Sequence, residues 1–185
     1  LGTVQDITEQ KIAELSLKEK DLRYREIFEG NFDGFVMVDL AGHVIDANQS
    51  FCTIVGYTLE ELKALDSFYV ITAEKWRKWE QEEIWKKRLL VYGYSGLFEK
   101  EFIRKNGEIF PVELQAYAAY GIDGTLHYLW AVVRDITKRK QAEEERELLI
   151  TTISKKNKEL NETYEQLLQT EQELKKQNTA LTLSR

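Results

Sequence analysis

Few residues of this chain belong to the types that carry covalent or metal chemistry. It has two histidines, His43 and His127, and one cysteine, Cys52. A single cysteine forms no internal disulfide and disfavours a cysteine-based zinc site. Cys52 lies among Phe51, Thr53 and Ile54, where an unpaired thiol reads as a small core residue. His43 and His127 stand beside turns and read as structural or surface side chains. The adjacent carboxylates Glu82-Glu83 and Glu143-Glu144-Glu145 fall in helical segments, where sequence neighbours do not share a face. They therefore do not make the opposed pair that glycoside hydrolysis needs. There is no phosphate-cradling glycine loop and no G-x-S-x-G elbow. The sequence reads as non-enzymatic. Its distinctive side chains are instead aromatic and apolar: Trp76 and Trp79, three apart on one helix face, suit packing on a sheet, closing a pocket or a dimer contact.

Composition shows how these residues must be positioned. The chain has 185 residues, with 26 Lys and Arg against 32 Asp and Glu, a net charge of -6. That balance argues against nucleic acid as a partner, which usually meets a basic patch. No apolar run approaches the roughly 20 residues of a membrane helix. No signal-peptide pattern is present either, so the sequence reads as a cytoplasmic piece of a longer protein. Nine of the ten glycines lie between Gly30 and Gly124, and all four tryptophans between Trp76 and Trp130. From Lys138 to Arg185 there is no Gly, Pro, Phe, Trp, Cys or Met. A glycine-punctuated aromatic middle followed by a charged, breaker-free tail predicts a globular domain and then a long helix.

The tail has a period. Ile153, Leu160, Leu167, Leu174 and Leu181 recur every seven residues, and Ile150, Asn157, Tyr164, Glu171 and Asn178 hold the complementary position. This heptad predicts a coiled coil, and the polar Asn157 and Asn178 in its seam favour a parallel homodimer of fixed register. A shorter helix is predicted between Glu9 and Glu29. One motif occurs twice: Asp6 to Glu14 and Asp135 to Glu143 share six of nine residues at an offset of 129. That separation suggests tandem units. Residues 1–8 then read as the tail of a preceding unit, 9–29 as a linker helix, 30–137 as a domain and 138–185 as a coiled-coil helix.

In the middle, Phe35–Val38 and His43–Ala47 flank an Ala41-Gly42 turn and predict a hairpin. Asn48 or Ser50 is placed to cap a helix over Phe51–Val55 that Gly56 stops. Thr58 and Glu61 fit a capping box, and Thr72 is placed to cap a longer helix ended by Gly93 and Gly96. Three strands follow, Leu97–Arg104, Ile109–Tyr120 and Leu126–Arg134, joined by an Asn106-Gly107 turn and the turn over 121–124. Two strands, several helices and a three-strand meander make an antiparallel α+β domain with helices on one side of the sheet.

Residues 21–143 resemble a PAS domain of bacterial signalling proteins. The resemblance rests on Asp33-Gly34-Phe35, Val44-Ile45-Asp46-Ala47-Asn48, Phe51 to Tyr57 with Glu60-Glu61-Leu62, Arg104-Lys105-Asn106-Gly107, Phe110-Pro111-Val112 and Arg134-Asp135-Ile136-Thr137. It implies a five-stranded antiparallel sheet with flanking helices around a small cavity, and a sensor or dimerisation role. By analogy, Val36, Val38, Phe102, Val112, Leu114, Ala116, Leu129, Ala131 and Val133 are expected to face the helices and line any pocket. A ligand there would be small and apolar. Trp130 and Val132 fall on the opposite face, where a flanking helix or second protomer would dock. The resemblance also makes Asp135, Ile136 and Thr137 the exit where sheet changes reach the output helix, and suggests a Glu61–Lys105 ion pair. No cofactor is specified. The stretch from Leu65 to Tyr69 lacks the cysteine of a photoreactive flavin site, and 73–92 lacks a haem-ligating histidine, so both groups are disfavoured. The expected whole is a sensory or relay module upstream of a histidine kinase or diguanylate cyclase effector. The alternatives are a ligand-free dimerisation spacer and a haem or flavin redox sensor.

Overall fold

The computed structural model describes residues 2–183, and the side chains of 11–177. Five segments with alternating apolar residues form strands: β1 (Gly34–Val38), β2 (Val44–Ala47), β3 (Phe98–Ile103), β4 (Ile109–Tyr120) and β5 (Leu126–Asp135). They pair antiparallel in the order β2-β1-β5-β4-β3. The last strand in sequence thus lies at the centre, between the first hairpin and the meander. Register aligns Val36 with Ala131 and Ala131 with Ala116, and Phe98 with Leu114. Because strand side chains alternate, one face gathers Val36, Val38, Phe98, Phe102, Leu114, Leu129 and Val133, all buried. This is the α+β architecture expected from the pattern.

The helices between β2 and β3 cover that face. Asn48 starts α2 (Gln49–Val55), its side chain accepting from the Phe51 amide, and Gly56 ends it at φ 77°, a left-handed geometry that glycine adopts without penalty. The capping box of α3 (Leu59–Lys63) is formed: Thr58 Oγ1 accepts from the Glu61 amide at 3.2 Å, and Glu61 accepts from the Thr58 amide at 3.0 Å. A 3-10 turn (Phe68–Ile71) leads to α4 (Glu74–Trp79). Thr72 does not cap α4. Ala73 occupies the cap position, while Thr72 is fully buried and bridges to Phe102 at the sheet. Its extended backbone is held by strand-like pairing, which leaves its hydroxyl facing inward.

From Glu80 to Leu89 the chain is π-helical, and a short α5 (Leu90–Tyr92) follows before Gly93. The wider winding has a visible consequence. Glu80, Ile84 and Leu89 are all buried. Nine α-helical residues make two and a half turns, which would put Leu89 opposite Glu80. The i→i+5 pattern gives roughly 4.4 residues per turn, so nine residues make close to two full turns and both point inward.

On the outer sheet face, Trp130 stacks on Tyr117 at 4.3 Å and meets Phe35 at 6.2 Å. The end of α1 (Gly2–Glu29) covers part of this row through Phe28, 5.9 Å from Phe35. This helix begins at Gly2 rather than at Glu9, so Asp6–Thr8 are helical rather than a strand end. The chain divides after Thr137 into two units. The second consists of α6 (Thr137–Leu183), one continuous helix of 47 residues. No helix among the described residues is long and apolar enough to cross a membrane.

Candidate functional site

A partly open cavity lies between the helices and the inner sheet face. Its space open to the centre of a water-sized sphere is about 50 Å³. Eight of the residues singled out from the sequence line it: Val36, Val38, Phe102, Leu114, Ala116, Leu129, Ala131 and Val133. Val112 does not. It is fully buried but sits opposite Asp135, toward the far end of β4, where it packs in the core. The π-helical segment and the preceding turn supply the opposite wall through Phe68, Ile71, Ile84, Trp85 and Leu89.

Two charged residues also line this cavity. Lys100 is 2% exposed and Glu80 4%. The Lys100 ammonium donates to Glu80 Oε1 at 2.5 Å and, more weakly, to Thr72 Oγ1 at 3.4 Å. It lies 4.7 Å from the centre of the Phe102 ring and 5.5 Å from that of Phe68, within cation–π range. Burial pushes the Lys100 ammonium below the usual lysine range, against the pull of Glu80. Burial and the Glu80 carboxylate together push the Tyr69 phenol up to about 12. The second carboxylate oxygen, Glu80 Oε2, is buried without a hydrogen-bond partner among the described residues.

Sequence reasoning missed this pair, although half of it was readable. Lys100 stands between Phe98 and Phe102 at the same parity, so the alternation that sends both phenylalanines inward sends Lys100 with them. Glu80 had no such signal, because an α-helical reading carries no information about the π turn that delivers it. His43 and His127 are both exposed and lie beside Asp39 and Asp123, outside the cavity wall. Cys52 is buried in the core, outside the cavity, and burial pushes its thiol up. No group of three or more potential metal ligands occurs among the described residues.

β5 leads from the cavity to the start of α6. Val133 is in the wall, and two residues later Asp135 Oδ1 accepts from the Thr137 amide at 2.8 Å and from its hydroxyl at 2.6 Å. Ile136 is buried, and its amide donates to the Pro111 carbonyl at 3.2 Å. Asp135 Oδ2 accepts from Arg104 at 2.7 Å. The same guanidinium donates to the Ile54 carbonyl and covers the Phe110 ring at 3.6 Å. Arg104 thus ties the end of β3, the last turn of α2 and the exit of β5. Burial raises the Asp135 carboxyl, but hydrogen bonds from Thr137 and Arg104 outweigh it and hold the group below its ordinary range. Nearby, Lys105 pairs with Glu61 at 2.5 Å. That pair is exposed, so solvent screens it and it adds little to stability.

In α6, Ile150, Ile153, Leu160, Tyr164, Leu167 and Leu174 are each between 55% and 68% exposed, and Asn157 lies exposed among them. The side chains of Asn178 and Leu181 lie outside the described residues.

Known proteins resemble this one in both sequence and fold. The chain is 25% identical over 143 residues to the probable diguanylate cyclase DgcE of Escherichia coli, covering 76% of this chain and 13% of that protein. It is 31% identical to the methyl sulfide methyltransferase-associated sensor of Methanosarcina acetivorans, over 69% of this chain and 12% of that one. It therefore spans about an eighth of the length of these relatives. A domain of the sensory box sensor histidine kinase/response regulator of Geobacter sulfurreducens superposes with a TM-score of 0.51 at 27% identity, over 64% of this chain and 96% of that one. The PAS domain of a Colwellia psychrerythraea protein has the same fold, with a TM-score of 0.59 at 24% identity over 64% of this chain and 97% of the other. The family profile described as PAS domain matches residues 33–138, more than half the chain. With its sheet order, its covering helices and that match, the chain belongs to the PAS domain family.

Proposed function

We propose that this chain is the sensory module of a longer signalling protein. In this reading a small molecule occupies the cavity, and its presence is felt along β5 at Asp135, Ile136 and Thr137. The change passes into α6, which pairs with α6 of a second copy as a parallel coiled coil and leads to an effector in the same protein. The observation that carries the reading is the cavity itself. Its walls come from β5, which ends at the junction, and from the π-helical segment, and they contain a buried ion pair. A domain that only spaced or dimerised its neighbours would gain more stability by filling this space than by burying two charges beside it.

The apolar stripe of α6 supports the dimer. An isolated helix has no reason to repeat Ile and Leu every seven residues, and pairing buries them. The relatives support a histidine kinase or a diguanylate cyclase as the effector class. The repeated Asp6–Thr8 and Asp135–Thr137 motifs support a second unit of the same kind before this one.

Native mass spectrometry of the purified chain, with a denaturing run beside it, tests the reading. The expected result is a dimer carrying extra mass that is lost on denaturation. A dimer at the bare polypeptide mass, unchanged when small organic molecules are added, would favour the spacer.

A further inference from the structure

The polar groups in the cavity wall are unequally satisfied, and the inequality specifies a ligand. We infer that the cavity takes a small neutral molecule, mostly apolar, whose single hydroxyl or N–H group donates a hydrogen bond to Glu80 Oε2. The inference rests on the reading of the cavity as a ligand site.

Lys100 has hydrogen-bond partners for every polar atom of its side chain. Its ammonium donates to Glu80 Oε1 at 2.5 Å, reaches Thr72 Oγ1 at 3.4 Å and faces the rings of Phe102 and Phe68. Glu80 does not. A carboxylate offers about four lone-pair sites on its two oxygens. One oxygen is taken by Lys100, while the other is buried and unpartnered. A buried acceptor left unmade is costly, and more so for a charged group. The open polarity of the wall is therefore an acceptor, and the complementary ligand is a donor.

Charge narrows the class. Glu80 and Lys100 are the ionisable residues of the wall, and their charges cancel. An anionic ligand would have to draw Lys100 away from Glu80 and strand the carboxylate. A cationic ligand would leave two positive charges against one negative in a site otherwise lined by apolar and aromatic side chains. A neutral donor satisfies Oε2 and leaves the pair intact. Size narrows it further, since a space of about 50 Å³ open to the centre of a water-sized sphere admits only a small molecule.

Four probes of that size separate the possibilities: 2-propanol, a neutral donor; acetone, a neutral acceptor of the same shape; acetate; and isopropylammonium. Each is titrated into the full chain while the methyl resonances of Ile84, Leu89 and Leu129 are followed by NMR. The expected result is that 2-propanol saturates these shifts at a concentration at least about tenfold below the other three, as a hydrogen bond to a charged group implies. In the Glu80→Met/Lys100→Met variant, which removes the acceptor and both charges, 2-propanol and acetone should become equivalent. The ranking on the unaltered chain decides the proposal whether or not that variant folds. Equal binding of 2-propanol and acetone would overturn the Glu80 anchor while leaving the cavity a ligand site. Tightest binding of acetate would make Lys100 the anchor, and tightest binding of isopropylammonium would overturn the neutral class. If no probe shifts the methyls, both this inference and the ligand-sensing reading fail.

Discussion

At the scale of single residues, the Glu80–Lys100 pair is costly to bury. Two charges at 4% and 2% exposure lose most of their hydration, and each depends on the other. Lys100→Met should therefore destabilise the domain by about 3–5 kcal/mol, because it leaves Glu80 charged and alone. Glu80→Met/Lys100→Met should recover most of that loss, and urea unfolding of the single and double variants measures both. If the single variant costs nothing, the pair is not the buried contact described. Asp135 gives a prediction in pH. Its folded-state carboxyl lies below the ordinary range, so its contribution is complete above that range and is lost as the pH falls through the folded value. Asp135→Asn should cost about 1–2 kcal/mol at neutral pH, for hydrogen bonds made by a charged group. Thermal unfolding of both proteins across the acid range should show the gap between them closing below about pH 4. A gap independent of pH would remove the charge of Asp135 from the junction.

At the scale of elements, the π-helical segment decides which residues reach the cavity. Leu89 is 1% exposed and Val91 63%. An α-helical register from Glu80 would reverse them, since eleven residues make about three α-turns and return Val91 to the inner face. Leu89→Ala should accordingly cost about 2–5 kcal/mol, and Val91→Ala within about 0.5 kcal/mol of nothing. Equal costs, or the reverse order by denaturant unfolding, would contradict the π winding. The elements also show what a sequence can carry. Strand parity, the Gly56 stop, the Thr58–Glu61 box and the heptad of α6 are local patterns, and a local pattern survives in the letters. Phe102, Leu129 and Val133 could be assigned to the inner face for that reason. Thr72 was misread as a cap because its residue type suits a cap. Its true position is set by pairing with Phe102, thirty residues away. The contacts of Arg104 with Ile54 and Asp135 were likewise invisible, because they join three elements that only the folded sheet brings together.

At the scale of the whole molecule, a domain with a small cavity is followed by a helix that exposes a heptad stripe. The second part predicts an assembly. Leu160→Asp with Leu167→Asp puts four carboxylates into the seam of a dimer, and sedimentation should then find a monomer where the unaltered chain is a dimer. A monomeric unaltered chain would count against the coiled coil. Asn157→Leu should keep helices associated but loosen the choice of register and number, because a buried Asn is what specifies a parallel pair. The central claim is that the cavity and the junction respond as one. Amide hydrogen exchange of the full chain, measured with the cavity empty and again with it saturated by 2-propanol or by whatever molecule co-purifies, tests it most directly. The account predicts that protection changes at Leu129–Val133 in the wall and also at Asp135–Thr137 and the first turns of α6. A change confined to the cavity wall, with the junction and the helix exchanging as before, would contradict it.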